Sequence, residues 1–240
     1  PTLQVFDGTE LGELQRGFNA MVAGLRERER VRDLFGRHVG RDVAAAAEAQ
    51  DVELGGEERF AAALFIDIIG STTMVSNRPP TEIVDLLNQF FAIVVDEVNG
   101  HRGFVNKFEG DGCLAVFGTP NQLDCPADAA LAASRSIAAR IRTELPGVDA
   151  GIGVAAGIVV AGNVGAHERF EFTVIGPPVN TAARLCELAK STPAKLLAAA
   201  DTVCSAGAAE QEHWSFGDAV TLRGQHHETL LALPRDGDGR

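Results

Sequence analysis

The chain has 240 residues, 45% of them apolar and 22% charged, which is enough to bury a real core and excludes wholesale disorder. Twenty-one basic residues against 33 acidic ones leave a formal charge of −12. That balance argues against general phosphate-backbone binding, which Lys and Arg drive, but a small anion can still be held where a metal or local donors offset the field.

The first fifty residues carry an a/d seam, Leu11, Leu14, Phe18, Met21 and Leu25, about two heptads long. Apolar residues resume off-register at Val31, Leu34 and Phe35, after an almost purely charged stretch from Arg26 to Arg32. A solvated surface helix and a dimerising signal helix with a soft register break both fit this pattern. The polar stretch from Glu48 to Glu58, with Gly55-Gly56, marks a boundary. An apolar strand is expected over Phe60–Asp67, then a turn, Gly70-Ser71-Thr72-Thr73, and a helix opening at Pro79-Pro80. Strands over Gly103–Phe108 and Cys113–Phe117 flank the tight turn Glu109-Gly110-Asp111-Gly112. A helix follows over Ala127–Arg142, then Gly-dotted β structure over Val148–Val164 and a strand over Arg169–Ile175. Pro177-Pro178 starts another helix, and the tail suggests a helix at Pro193–Ala200 and strands at Phe216–Leu222 and Thr229–Leu233. This β-α-β-β-α-β order predicts an α+β fold, an antiparallel-rich sheet with helices on one face.

Cys113, Cys125, Cys186 and Cys204 form no CxxC pair and no zinc spacing, so free thiols in a reducing compartment are expected. No apolar run approaches the ~20 residues that span a bilayer, and no signal-peptide pattern opens the chain, from which a soluble cytosolic piece is expected.

Two carboxylates stand where apolar strands end. Asp67 closes one strand and Asp111 sits in the hairpin turn; if the strands are neighbours, both project from one sheet edge. Such a pair suits Mg²⁺ or Mn²⁺, which share their remaining positions with water and substrate phosphates, although a lone Asp at a strand end is more often a cap. Backbone amides around Gly70, Ser71 and Thr72 could cradle a phosphate, or form an ordinary helix start. Asn180 and Arg184, four apart after the double proline, share a helix face. They could hold a ribose and a developing phosphoryl charge, or be ordinary exposed residues.

Together, Leu64–Thr73 (LFIDIIGSTT), Phe104–Gly118 (FVNKFEGDGCLAVFG) and Phe172–Leu185 (FTVIGPPVNTAARL), with Val154–Val164 between them, resemble the catalytic domain of class III adenylyl cyclases. These enzymes convert ATP into 3′,5′-cyclic AMP and pyrophosphate, a phosphorus–oxygen lyase reaction. The resemblance covers roughly residues 58–235 and implies a ferredoxin-like βαββαβ catalytic domain. It implies that Asp67, Asp111 and the main-chain carbonyl of Ile68 hold two Mg²⁺ or Mn²⁺ ions per site. Lys107 then meets adenine N1, Asn180 orients the ribose and Arg184 stabilises the pentacoordinate α-phosphate. Arg223 matches, more loosely, a position that reaches the terminal phosphates. The second adenine-reading position, often Asp in the family, is Thr173 here. A hydroxyl accepts from the adenine 6-amino group but can also donate, so ATP is favoured with some leakage to GTP.

Lys107 and Asp111 are four residues apart, a span of ~10–13 Å in extended chain. One hairpin therefore cannot easily serve both base and phosphates of one nucleotide. The family's solution is a head-to-tail homodimer in which one copy gives Asp67 and Asp111 and the other gives Lys107, Thr173, Asn180 and Arg184. Residues 6–25 resemble the second helix of a HAMP signal-relay module, which gives expected divisions of 1–28 (HAMP-like), 29–57 (transducer and linker), 58–235 (catalytic) and 236–240 (tail). A cytoplasmic domain, anchored at the inner membrane through upstream segments, is the corresponding expectation. A guanylyl or mixed-specificity cyclase, or a catalytically silent nucleotide-sensing dimer, are the competing readings.

Overall fold

The computed structural model describes residues 10–40, 43–45, 54–225 and 227–235. The first residues of the HAMP-like segment, residues 41, 42 and 46–53 of the expected transducer and linker, and the 236–240 tail lie outside the described residues. The chain divides into two compact units, Pro1–Asp51 and Val52–Arg240.

In the first unit, helix α1 (Glu10–Val39) runs unbroken through the expected division at residue 28 and the charged stretch where the apolar register slips. Glu10 and Glu13 in its first turn and Arg37 and His38 in its last complement the helix dipole. Arg37 pairs with Asp33 at 2.7 Å, one turn apart. Leu14, Phe18, Met21 and Leu25 remain exposed along the seam, so this helix keeps an unburied apolar stripe of the kind two-helix pairing uses.

The second unit contains, in chain order, β1 (Gly55–Ile68), α2 (Ser71–Asn77), α3 (Pro80–Gly100), β2 (Phe104–Glu109), β3 (Gly112–Phe117), α4 (Pro126–Glu144), β4 (Ala150–Ala166), β5 (Arg169–Ile175), α5 (Pro177–Ala189), β6 (Leu196–Ala199), α6 (Ala200–Cys204), α7 (Ala208–Gln211), β7 (Trp214–Thr221) and β8 (Glu228–Pro234). The sheet order is β2-β3-β1-β4-β6-β8-β7, with β5 paired to the far end of β4. Of these pairings, β4 with β6 is the parallel one.

Strand alternation sorts the packing. Even-numbered residues of β1 (Ala62, Leu64, Ile66, Ile68) and β4 (Ile152, Val154) are buried with Phe90 and Val94 of α3 and Leu131 and Ile137 of α4. The odd-numbered face of β4 is glycine-rich because α5 lies directly on it. A Cβ on Gly153 would sit 2.2 Å from the Ala182 carbonyl oxygen and the Cys186 amide nitrogen, and one on Gly157 would sit 2.9 Å from Pro178. Helices therefore cover both faces, which corrects the one-face expectation. The glycines that marked β4 as irregular in sequence are what let the second face carry a helix.

Two local expectations change. β1 begins at Gly55 rather than Phe60, because residues Gly55–Arg59 pair one by one with Asn163–Val159 of β4. Its charged start is tolerated because that end of the ribbon is exposed. The helix expected at Pro193–Ala200 is instead the strand β6, whose four residues are fully buried beside β4 and β8. Burial on both sides overrides the helix preference of Leu and Ala.

Candidate active site

β1 and β3 bring the two carboxylates together. Asp67 is opposite Gly112 on β3 and opposite Gly151 on β4, so it has a glycine on each flank. A Cβ at position 112 would lie 2.7 Å from the Asp67 Oδ1, and one at 151 would meet Lys190 Cγ at 2.6 Å. The missing side chains are the room in which the carboxylate and its partners sit. Asp111 occupies the two-residue turn between Glu109 and Gly112, with Gly110 at φ 65°. The Asp111 carbonyl accepts from the Ile68 amide at 3.4 Å, which ties the turn to the end of β1.

As an odd residue, Asp67 faces α5. Cys186 and Glu187 line the 170 Å³ cavity at its carboxylate, and the Lys190 ammonium donates to Oδ2 at 2.5 Å while also pairing with Glu187 at 2.8 Å. Burial raises the Asp67 pKa above the ordinary carboxylate value; the Lys190 hydrogen bond works against this and the neighbouring Asp111 charge adds to it. Burial disfavours the Lys190 charge, but its bonds to Asp67 and Glu187 outweigh that and raise its pKa. Burial also pushes the Cys113 and Cys186 thiols up to about 12, so both stay protonated, and Cys186 donates to the Gly151 carbonyl at 3.2 Å. All four cysteines are free.

Among the described residues no three His, Cys, Asp or Glu side chains gather into a metal cluster. Two adjoining carboxylates whose mutual charge is not fully offset nevertheless fit Mg²⁺ or Mn²⁺, which complete their shells with water and substrate oxygens rather than an all-protein cage.

The Gly70 turn is left-handed, φ 74°, and the Thr73 and Met74 amides close onto the Gly70 carbonyl while Ile69 donates to Asp149. Ser71 and Thr72 are thus the first residues of α2.

A second group forms where β2 meets β5. The Lys107 ammonium pairs with Glu171 at 2.7 Å. Asn106 donates from Nδ2 to the Phe172 carbonyl at 2.7 Å, and the buried Thr173 hydroxyl donates to Asn106 Oδ1 at 3.4 Å. The Phe104 and Phe172 rings meet at a tilt of 56°, their centroids 6.0 Å apart. Asn180 and Arg184 lie exposed on the outer face of α5, with Arg184 ~9 Å along the axis from Lys190 at 1.5 Å per residue. The Arg223 turn is docked on the same helix by a hydrogen bond from Gln225 Nε2 to Thr181 Oγ1 at 2.7 Å.

The structure thus joins Asp67 to Asp111 and brings Lys107 and Thr173 to one strand junction, while Asn180 and Arg184 stand exposed on α5. Lys190, Glu187, Asn106 and Glu171 were missed by sequence reasoning. Asn106 carried a signal, being an Asn inside a strand and next to Lys107; Lys190 carried none beyond a basic residue just after a helix.

Residues 57–233 match the family described as the adenylate and guanylate cyclase catalytic domain. The chain belongs to that family: it is a class III nucleotide cyclase domain. An uncharacterized protein of Mycobacterium tuberculosis (strain CDC 1551 / Oshkosh) is 68% identical over 232 residues, covering 97% of this chain and 42% of that protein. The chain therefore spans less than half the length of such curated relatives. The fold is similar to that of the adenylyl cyclase CyaB from P. aeruginosa (TM-score 0.68, 22% identity, 77% of this chain and 97% of that one). It is also similar to the guanylyl cyclase Cya2 (TM-score 0.63, 27% identity, 75% and 94%). No helix among the described residues is long and apolar enough to cross a membrane.

Proposed function

We propose that this cyclase acts on ATP, producing 3′,5′-cyclic AMP and pyrophosphate in sites shared by two copies of the chain. The observation that carries the substrate choice is the ammonium of Lys107, held at the β2–β5 junction beside Thr173. An ammonium only donates, which suits the unprotonated N1 of adenine and meets the N1–H of guanine badly. Glu171 takes one of its three donors and leaves others for a base.

In the reaction, the ribose 3′-oxygen bonds to the α-phosphorus, the α–β anhydride bond breaks, and pyrophosphate leaves with the electron pair. Asn180 orients the ribose and Arg184 carries the charge of the five-coordinate phosphorus. Arg223 and the Gly70, Ser71 and Thr72 turn steady the phosphate chain. Asp67, Asp111 and the Ile68 carbonyl are the groups that would hold two divalent cations, Mg²⁺ or Mn²⁺. Bound cations would supply neutralised phosphate charge and a more acidic 3′-hydroxyl. Asp67 is the nearest candidate to take the hydroxyl proton.

The shared site is supported by an exposed apolar ridge, Phe60, Ile158, Val160 and Ile175, each 43–57% exposed on the β1–β4–β5 ribbon. Phe60 is opposite Ile158 and Val160 opposite Ile175, so the pairs share a face. A ridge of this kind is a surface for a second copy. The seam on α1 fits a HAMP-like relay helix that joins two chains, with membrane anchoring through segments upstream of it. Thr173 in place of an acid favours some turnover of GTP as well.

Products from ATP and GTP, separated chromatographically after incubation with Mn²⁺, test this reading. Cyclic AMP in clear excess is expected, and Lys107→Glu should swing the preference towards GTP. Cyclic GMP in excess from the unaltered protein, or no cyclic product at any protein concentration, would overturn it.

A further inference from the structure

We propose that Asn106 sets the donor–acceptor sense of the Thr173 hydroxyl and so makes a residue that could serve either purine favour adenine. The inference rests on Thr173 reading the base, as proposed above.

The argument runs from one fixed point. The Phe172 carbonyl can only accept, so the group of Asn106 that meets it at 2.7 Å is the amide nitrogen. That fixes the side-chain amide, and its oxygen turns towards Thr173 Oγ1, 3.4 Å away. An amide oxygen only accepts, so the hydroxyl's one proton points to Asn106. What Thr173 has left for a ligand is lone pairs. Lone pairs accept from the 6-amino group of adenine and repel the 6-oxo group of guanine. Without Asn106 the hydroxyl would rotate and donate to that oxygen.

Local structure explains how an Asn comes to do this. The β2–β3 ladder shifts register between Val105 and Lys107, so Asn106 falls at an irregularity in β2. Such irregularities re-aim side chains, and here the side chain is turned onto β5. Lys107 follows directly, so one short stretch of β2 carries the N1 donor and the residue that orients the 6-position acceptor. The Thr173–Asn106 bond is long for an O–H···O contact, so it biases the hydroxyl rather than locking it, and the effect on selectivity should be several-fold.

The test is titration calorimetry of the whole chain with 3′-deoxy-ATP and 3′-deoxy-GTP, which lack the attacking hydroxyl, so that dissociation constants are read without turnover. Asn106→Ala should reduce the preference for the adenine nucleotide about three- to tenfold, the worth of one neutral hydrogen bond. In a Thr173→Val background the same substitution should leave the preference unchanged. An unchanged preference in Asn106→Ala with a native circular dichroism spectrum overturns the proposal, as does an equal shift with and without the Thr173 hydroxyl. Should Asn106→Ala fail to fold, Asn106→Leu decides: it keeps the shape of the side chain and removes the acceptor for Thr173, so it should reduce the preference likewise, and an unchanged preference would overturn the proposal. If the unaltered chain binds the guanine nucleotide more tightly, the adenine assignment itself fails, whatever the variants do.

Discussion

Asp67 is a residue held against its own preference. Its raised pKa means that the folded protein binds a proton there more tightly than the unfolded chain does. Stability contributed by that proton is present in full below the ordinary carboxylate value and is lost as pH rises through the raised folded one. Asp67→Asn supplies the neutral form at every pH. It should therefore melt higher than the parent in chelator at pH 7. Differential scanning calorimetry should also find that Mn²⁺ raises the melting temperature of the parent but not of this variant. A lower melting temperature in chelator would mean that the bond to Lys190 outweighs the burial and like-charge strain. Arg184→Ala should cost ~10²–10³ in turnover with little change in melting temperature, by the measure of losing one transition-state donor. Asp67 and Asp111 were legible in sequence because carboxylates interrupt apolar strands. Lys190 and Glu187 were not, because their meaning depends on α5 lying over the odd face of β1 and β4.

At the scale of elements, the fit of α5 onto β4 controls where Asn180 and Arg184 stand. Gly153→Ala puts a methyl group against the backbone of Ala182 and Cys186, where no side chain can yield. The helix must lift, with an expected destabilisation of about 1–3 kcal/mol from overpacking and a loss of activity larger than that figure explains. Denaturant unfolding with turnover on the same samples checks this. Glu210 offers a contrast far from the carboxylates. It accepts from Arg135 at 2.9 and 2.6 Å and from the Trp214 indole at 2.9 Å, binding α4, α7 and β7 together. Glu210→Ala should cost about 2–3 kcal/mol in the same melts, being a largely buried pair with one member removed, and leave the ATP preference unchanged. The order β-α-β-β-α-β, the ends of β5 and the start of α5 could be read from prolines, alternation and turn glycines. β6 could not, since four Leu and Ala residues carry no period, and burial between β4 and β8 decided their conformation. The glycines of β4 looked like weak strand signals until α5 explained them.

For the whole molecule, a single chain holds two separate groups, which the proposed function reads as halves of a shared site. One is the Asp67–Asp111 pair under α5 and the other is the Lys107–Thr173 junction of β2 and β5, while Asn180 and Arg184 face outward. Motif order made the family readable from sequence; the exposed Phe60–Ile175 ridge and the unburied stripe of α1 needed coordinates. The most direct test is to mix Asp67→Ala with Arg184→Ala, each strongly impaired alone, and assay cyclic AMP formation with Mn²⁺ as total protein rises. A site completed across two copies predicts that activity returns on mixing, up to one working site per mixed pair, and that specific activity of the parent climbs with concentration. Two impaired variants that stay impaired together, or a parent that cyclises ATP at full rate as a strict monomer, would contradict it.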